Sequence, residues 1–186
     1  MNYYLILGHP TKDSFNGQIC SAYEKKLISL GHNVRRVNII DLGMDLNLSL
    51  NPSEKNKKII LKEQENITWA DEIIFFYPLW WGNVPALLKG YIDNVFQPGF
   101  AYKYHKNDQG WDKLLKGKTV RIFSTCDAPA WFTTIVYHNS DFTTFKYALC
   151  WFTGMKLKCA KRIGKVYLQN NDQRQQIIEN ILKKIK

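Results

Sequence analysis

Three short segments of this 186-residue chain place ligand-holding residue types directly after apolar runs. The most distinctive is Ile73-Ile74-Phe75-Phe76-Tyr77-Pro78-Leu79-Trp80-Trp81-Gly82-Asn83. A run suited to a buried strand stops at a proline, and two tryptophans, a glycine and an asparagine follow. Backbone amides in such a loop can meet the polar edge of a flat ring while an indole packs on its face. A tryptophan pair that merely fills core is the ordinary alternative. Placement at the carboxyl end of a strand argues against it, because open α/β sheets bind ligands there.

The second segment is Gly8-His9-Pro10-Thr11-Lys12-Asp13-Ser14-Phe15-Asn16, between an apparent strand and a helix. Free N–H groups at a helix start, with the positive end of its dipole, bind phosphate. Ser14 and Asn16 add side-chain hydrogen bonds, and His9 can donate from its ring. Equally, Ser14 can serve only as a helix cap and His9 as a loop residue. The third segment, Ser124-Thr125-Cys126-Asp127-Ala128-Pro129-Ala130-Trp131-Phe132, offers hydroxyl, amide and aromatic groups at the same sheet edge. Its alternative is a plain strand–helix loop.

Two better-known phosphate loops are excluded. No G-x-G-x-x-G occurs. Gly117-Lys118-Thr119 resembles the end of a Walker A loop, but the earlier glycine falls at Asp112 and a strand follows instead of a helix. Metal chemistry has no support either, since His9, His32, His105 and His138 show no close ligand spacing. Cys20, Cys126, Cys150 and Cys159 form no C-x-x-C pair and read as buried free thiols of a reducing cytosol.

The elements that must position these segments follow from the apolar pattern of the chain. Strands are expected at Tyr3–Gly8, 33–38, Asp71–Tyr77, Thr119–Thr125 and Lys156–Lys161, with helices at Asn16–Leu30, about 53–68, Val84–Val95, Asp141–Phe152 and Asp172–Ile185. Phe96 to Asp112 reads as a long aromatic excursion, and Asp127 to Asn139 as irregular. Five strands alternating with helices imply a three-layer α/β fold with a parallel sheet in the order 2-1-3-4-5. The switch point then lies between strands 1 and 3, where the first two segments sit. One domain over residues 1–186 is expected, because the length supplies one full core.

Composition is that of an ordinary globular chain, 45% hydrophobic and 23% charged. The longest strongly apolar run, Ile73 to Trp81, is too short to span a bilayer, and the N-terminus lacks a basic leader, so a cytoplasmic protein without membrane insertion is expected. The net charge is +10, and residues 156–186 hold nine Lys and Arg against Asp172 and Glu179. Such a region can attract a phosphate-rich cofactor or nucleic acid, or be a solvated face; no groove-reading motif accompanies it, and nucleic acid is not expected as a partner.

The segments together resemble the flavodoxin-like NAD(P)H:quinone oxidoreductases, the group that includes DT-diaphorase, the modulator-of-drug-activity reductases and the potassium-efflux ancillary reductases. Pro78-Leu79-Trp80-Trp81-Gly82-Asn83-Val84-Pro85-Ala86-Leu87-Leu88-Lys89-Gly90 is the most specific match, with Gly8-His9-Pro10, Ser14-Phe15-Asn16 and Gly99-Phe100-Ala101-Tyr102 beside it. The resemblance implies a homodimer that binds FAD, with FMN as the alternative, and passes two electrons from NAD(P)H to a quinone or similar flat acceptor. It implies that His9, Ser14, Phe15 and Asn16 hold the pyrophosphate, that Pro78, Leu79, Trp80, Trp81 and Gly82 line the flavin ring, and that Thr125, Cys126 and Asp127 sit at its pyrimidine side. The chain departs from the pattern in the third loop. Cys126-Asp127-Ala128-Pro129 stands where mammalian members have Thr-Thr-Gly-Gly, followed by a Tyr and a His that assist hydride transfer. His138, beside Tyr137, is the candidate catalytic residue, and an exposed loop histidine is the alternative. An FMN-binding single-electron carrier and a nucleotide-sensing subunit of a transport protein are the rival functions.

Overall fold

The structure is a computed structural model that describes residues 1–49 and 51–185. Five parallel strands, β1 (Asn2–Leu7), β2 (Asn33–Asn38), β3 (Glu72–Pro78), β6 (Thr119–Thr125) and β7 (Lys156–Ile163), form one sheet in the order β2-β1-β3-β6-β7. Two further strands, β4 (Tyr102–Tyr104) and β5 (Trp111–Lys113), pair antiparallel where a loop over 96–112 is expected, β5 running one residue beyond it. They account for the difference in strand numbering from the expected order.

The helices are α1 (Phe15–Ser29), α2 (Glu54–Trp69), α3 (Ala86–Val95), α4 (Ala130–Ile135), α5 (Ser140–Thr143) and α6 (Asn171–Leu182). Helix α4 occupies part of the stretch expected to be irregular. The helix expected over Asp141–Phe152 is α only to Thr143, and from Thr144 to Trp151 it winds as a π-helix. That wider turn puts Phe145, Leu149 and Cys150 together on the core.

All seven residues of β3 are buried, as a central parallel strand covered on both faces must be. The strands alternate between two cores. Tyr3, Leu5, Leu7, Ile74, Phe76 and Phe123 meet Ile19, Tyr23 and Leu27 of α1 and Ile178 and Ile181 of α6. Tyr4, Ile6, Phe75, Tyr77 and Ile122 meet Ile60 and Ile67 of α2, Leu88 and Tyr91 of α3 and Phe145. Adjacent strands start from a common end, so the loops after β1, β3 and β6 emerge together.

Candidate functional site

The first wall of the site is the start of α1. Ser14 adopts the extended conformation of a cap and its hydroxyl accepts from the Gly17 N–H at 3.2 Å. That bond leaves the earlier N–H groups of the turn, which lack intrahelical partners, pointing beyond the helix end. Gly17 is required here: a Cβ on it would lie 1.8 Å from the Lys12 carbonyl oxygen. Asn16 is 2% exposed, and its Nδ2 donates to Thr125 Oγ1 at 2.7 Å. Its Oδ1 is buried without a partner, an orphaned acceptor at the cavity wall.

The second wall follows β3. The Leu79 N–H donates to Thr125 O at 2.7 Å, which fixes the loop after β3 to the end of β6. Trp80 and Asn83 exchange both backbone hydrogen bonds at 2.9 Å, and Trp81 and Gly82 between them have φ of 51° and 73°. This is a tight hairpin turn of the primed type. It aims Trp80 back toward His9, with ring centroids 5.9 Å apart, and leaves Trp81 fully exposed at the tip.

His9 Nδ1 accepts from the Thr11 N–H at 2.9 Å, so the remaining proton of a neutral ring belongs on Nε2. Burial holds this imidazole below its ordinary pKa, with an opposing contribution from the Thr11 contact. His9 is therefore a neutral donor at pH 7.

The third wall follows β6. The Cys126 N–H donates to Ile163 O at 2.9 Å, and Val166 N–H returns to Cys126 O at 3.2 Å. Burial raises the Cys126 thiol pKa, against a lowering contribution from Arg162, and Sγ lies 3.1 Å from Ala128 O. Cys126 is thus a thiol held further from its thiolate form than an exposed cysteine, as a wall residue of the cavity.

His9, Phe15, Asn16, Pro78, Leu79, Trp80, Thr125, Cys126 and Asp127, all candidates from the sequence, line one cavity of about 180 Å³ together with Val166. Ser14, Trp81 and Gly82 lie outside that lining, as helix cap, turn tip and turn residue. His138 is also outside it, exposed and left-handed with φ of 50° on the loop before α5. Gly82 nevertheless touches that loop, since a Cβ there would lie 3.7 Å from Ser140 Oγ and Tyr137 Cγ.

Two residues were not singled out from sequence. Val166 completes the lining. Arg174 lies 5.3 Å over the Phe15 ring, donates to Val166 O at 3.1 Å and keeps a buried Nε without a partner. The surplus of basic residues after Lys156 was the only sequence signal for it. Among the described residues no cluster of His, Cys, Asp or Glu is arranged to hold a metal, and no helix is long and apolar enough to cross a membrane.

Parallel strands, a switch point between β1 and β3 and a cavity built from the loops at that edge define a flavodoxin-like fold. The family model for the flavodoxin-like fold matches residues 1–186, and the chain belongs to that family. NADPH:quinone oxidoreductase MdaB of Haemophilus influenzae is 29% identical over 142 residues, 69% of this chain and 66% of that protein. The chain spans 57% to 66% of the length of three such curated relatives. Among solved structures, Smu.1420 of Streptococcus mutans is 27% identical with a TM-score of 0.81, covering 98% of this chain and 97% of that one. An FMN-dependent NADH-azoreductase of Bacillus anthracis, solved with FMN, shares the fold at 17% identity and a TM-score of 0.72, covering 98% and 95%.

Proposed function

We propose that this chain is a flavin-dependent NAD(P)H oxidoreductase that reduces a quinone or a similar flat acceptor by two electrons. The observation that carries the reading is the meeting of three separate loops in one cavity at the switch point. The cavity suits a flavin. It offers an orphaned Asn16 acceptor, a neutral His9 donor, an apolar Leu79–Trp80 wall and the amide-rich start of α1. When bound, a flavin would supply the two-electron hydride chemistry between a nicotinamide and the acceptor.

The protein's share is orientation and exclusion of water. Asn16, His9 and the α1 amides would hold the phosphate-bearing arm, and Pro78, Leu79 and Trp80 would shape one wall for the ring. Thr125, Cys126 and Asp127 would meet its polar edge. Trp81 and Gly82 act through the turn they form, and Ser14 through the helix start it fixes. His138 is proposed as a proton donor reached from the loop it shares with Tyr137. FAD is the proposed cofactor, with Arg174 beside Phe15 to meet its second half; the FMN found in the azoreductase relative keeps FMN as the alternative.

A homodimer is part of the same reading, because Trp81, Trp131, Ile135 and Val136 are exposed in the segments that follow β3 and β6. One domain and a cytoplasmic location complete it. The visible spectrum after FAD loading and gel filtration tests the proposal: retained flavin bands, bleached by NAD(P)H and restored by a quinone, are expected. Correctly folded protein that keeps neither FAD nor FMN would sink it.

A further inference from the structure

A buried ion pair lies one residue behind the cavity wall. The Asp141 carboxylate accepts from Arg162 Nη2, and the two side chains are 1% and 5% exposed. Tyr77 OH donates to the other carboxylate oxygen at 2.9 Å, Arg162 Nη1 donates to Ser124 Oγ, and the guanidinium lies 4.1 Å over the Phe142 ring. Tyr77 precedes Pro78, Ser124 precedes Thr125, and Arg162 precedes Ile163, whose carbonyl holds Cys126. Three strand ends are thus gathered onto the Asp141–Arg162 pair.

The carboxylate of that pair belongs to a different part of the chain. Asp141 is in the first turn of α5, behind His138 and Asn139, both left-handed with φ of 50° and 48°. Its neighbour Ser140 donates its hydroxyl to Gly82 O, and the Tyr137 ring faces Gly82. Tyr137 in turn meets Phe132 edge-on at 5.5 Å. A continuous route therefore runs from the strand ends through Asp141 and Ser140 to the Trp80–Asn83 turn.

We infer that Asp141 and Arg162 are positioning residues that hold the Phe132–Ser140 segment against the Trp80–Asn83 turn, and so set the fit of the flat acceptor beside that turn. Neither touches the cavity's contents; they act through Ser140 and Gly82. A network with fixed partners on four elements imposes a single loop geometry, and small misplacement at a reacting site costs far more than it costs in stability. The inference rests on the oxidoreductase reading for the identity of the acceptor, but not for the mechanical link.

The experiment compares Asp141→Asn, which keeps shape, with Ser140→Ala, which cuts the link without disturbing a buried charge. With menadione as acceptor, both variants are expected to raise its KM about tenfold, while flavin content and the rate of flavin bleaching by NADH stay within about twofold. Lower melting temperature with an unchanged menadione KM in both would overturn the inference. Hydrogen exchange in the flavin-free protein reads the link without turnover. Amides 137–141 are expected to exchange about tenfold faster in both variants, with β3 and β6 unchanged. If wild type keeps no flavin, the preceding reading fails, and the exchange result alone decides the link; unaltered exchange at 137–141 rejects it.

Discussion

Two carboxylates are buried on the same side of the sheet, and their partners differ in kind. Glu63, 2% exposed on α2, is held by Tyr4 OH, by Tyr91 OH at 2.7 Å and by Asn66 Nδ2 at 3.2 Å. All are neutral donors on β1, α3 and its own helix. Asp141 also has a tyrosine, but its second oxygen meets Arg162. A carboxylate among neutral donors joins elements that already pack, and its bonds follow from that packing. An ion pair desolvates two charges and returns little net stability over an apolar pair, so what it supplies is chiefly a fixed geometry. The neutral cluster lies between layers. The charged one lies where strand ends meet a strained loop.

The largest expected effect separates them on stability. Arg162→Met leaves the Asp141 charge buried and unpaired, and should cost about 3–5 kcal/mol in urea unfolding. Glu63→Leu orphans the Tyr4 and Tyr91 hydroxyls instead, and should cost about 2–4 kcal/mol. The sharper contrast is in turnover: Glu63→Leu is expected to keep the acceptor KM of its folded fraction. An equal rise in KM in that variant would erase the distinction between the two clusters.

A smaller effect is expected at the cavity itself. Asn16→Ala removes the bond to Thr125 and the orphaned acceptor, and should weaken flavin binding about tenfold in a fluorescence titration, with unfolding shifted by less than about 1 kcal/mol. The reverse pattern, intact binding and a lost fold, would make Asn16 a core residue only.

The smallest effects are in pH. A third buried acid, Glu72, is paired with both Arg121 and Lys158. Burial acts to raise its pKa, but hydrogen bonds and charge from Arg121 and Lys158 outweigh this and bring it below the ordinary 4.5. A pKa lowered on folding contributes stability above the unfolded value, and that contribution is lost as pH falls below about 4.5. Glu72→Gln should flatten the acid limb of the unfolding curve. At the other end, burial raises Tyr4, Tyr77 and Tyr91 above 10.0. Their contribution is present below pH 10 and should decline as pH rises beyond it, which circular dichroism across pH 9–12 would record.

Strands β1, β3 and β6 were legible as apolar runs between turn residues, and the three loops because each follows such a run; β2 and β7 are polar and alternating, and were legible from their place in the strand–helix succession. The hairpin at Tyr102–Tyr104 and Trp111–Lys113 was not, since three-residue, largely exposed strands leave no periodicity to read. The π-winding after Thr143 was hidden for a related reason: Phe145, Leu149 and Cys150 also fit an α-helical face. At the site, Asn16 and Thr125 could be named separately, but their bond spans 109 residues and only the folded chain shows it. The same holds for Asp141 with Arg162. Trp81 was placed on the ring by resemblance; nothing in the sequence signals that a tryptophan takes the left-handed position of a turn.

The sheet's borders give the basic surplus another meaning. β2 and β7 are the outer strands, and each offers one row of unpaired backbone groups to any passing chain. Arg35 on β2, and Lys156 and Lys158 on β7, are exposed along those rows. A register shift between Val120 and Arg121 leaves Lys158 unmatched on β6, so the outer strand bulges there, and its ammonium reaches Glu72 at 2.9 Å. Positive charge along a sheet edge disfavours templated pairing with another chain, and a variant that neutralises Lys156, which has no such partner to lose among the described residues, should form thioflavin-positive fibrils sooner on gentle heating than wild type does.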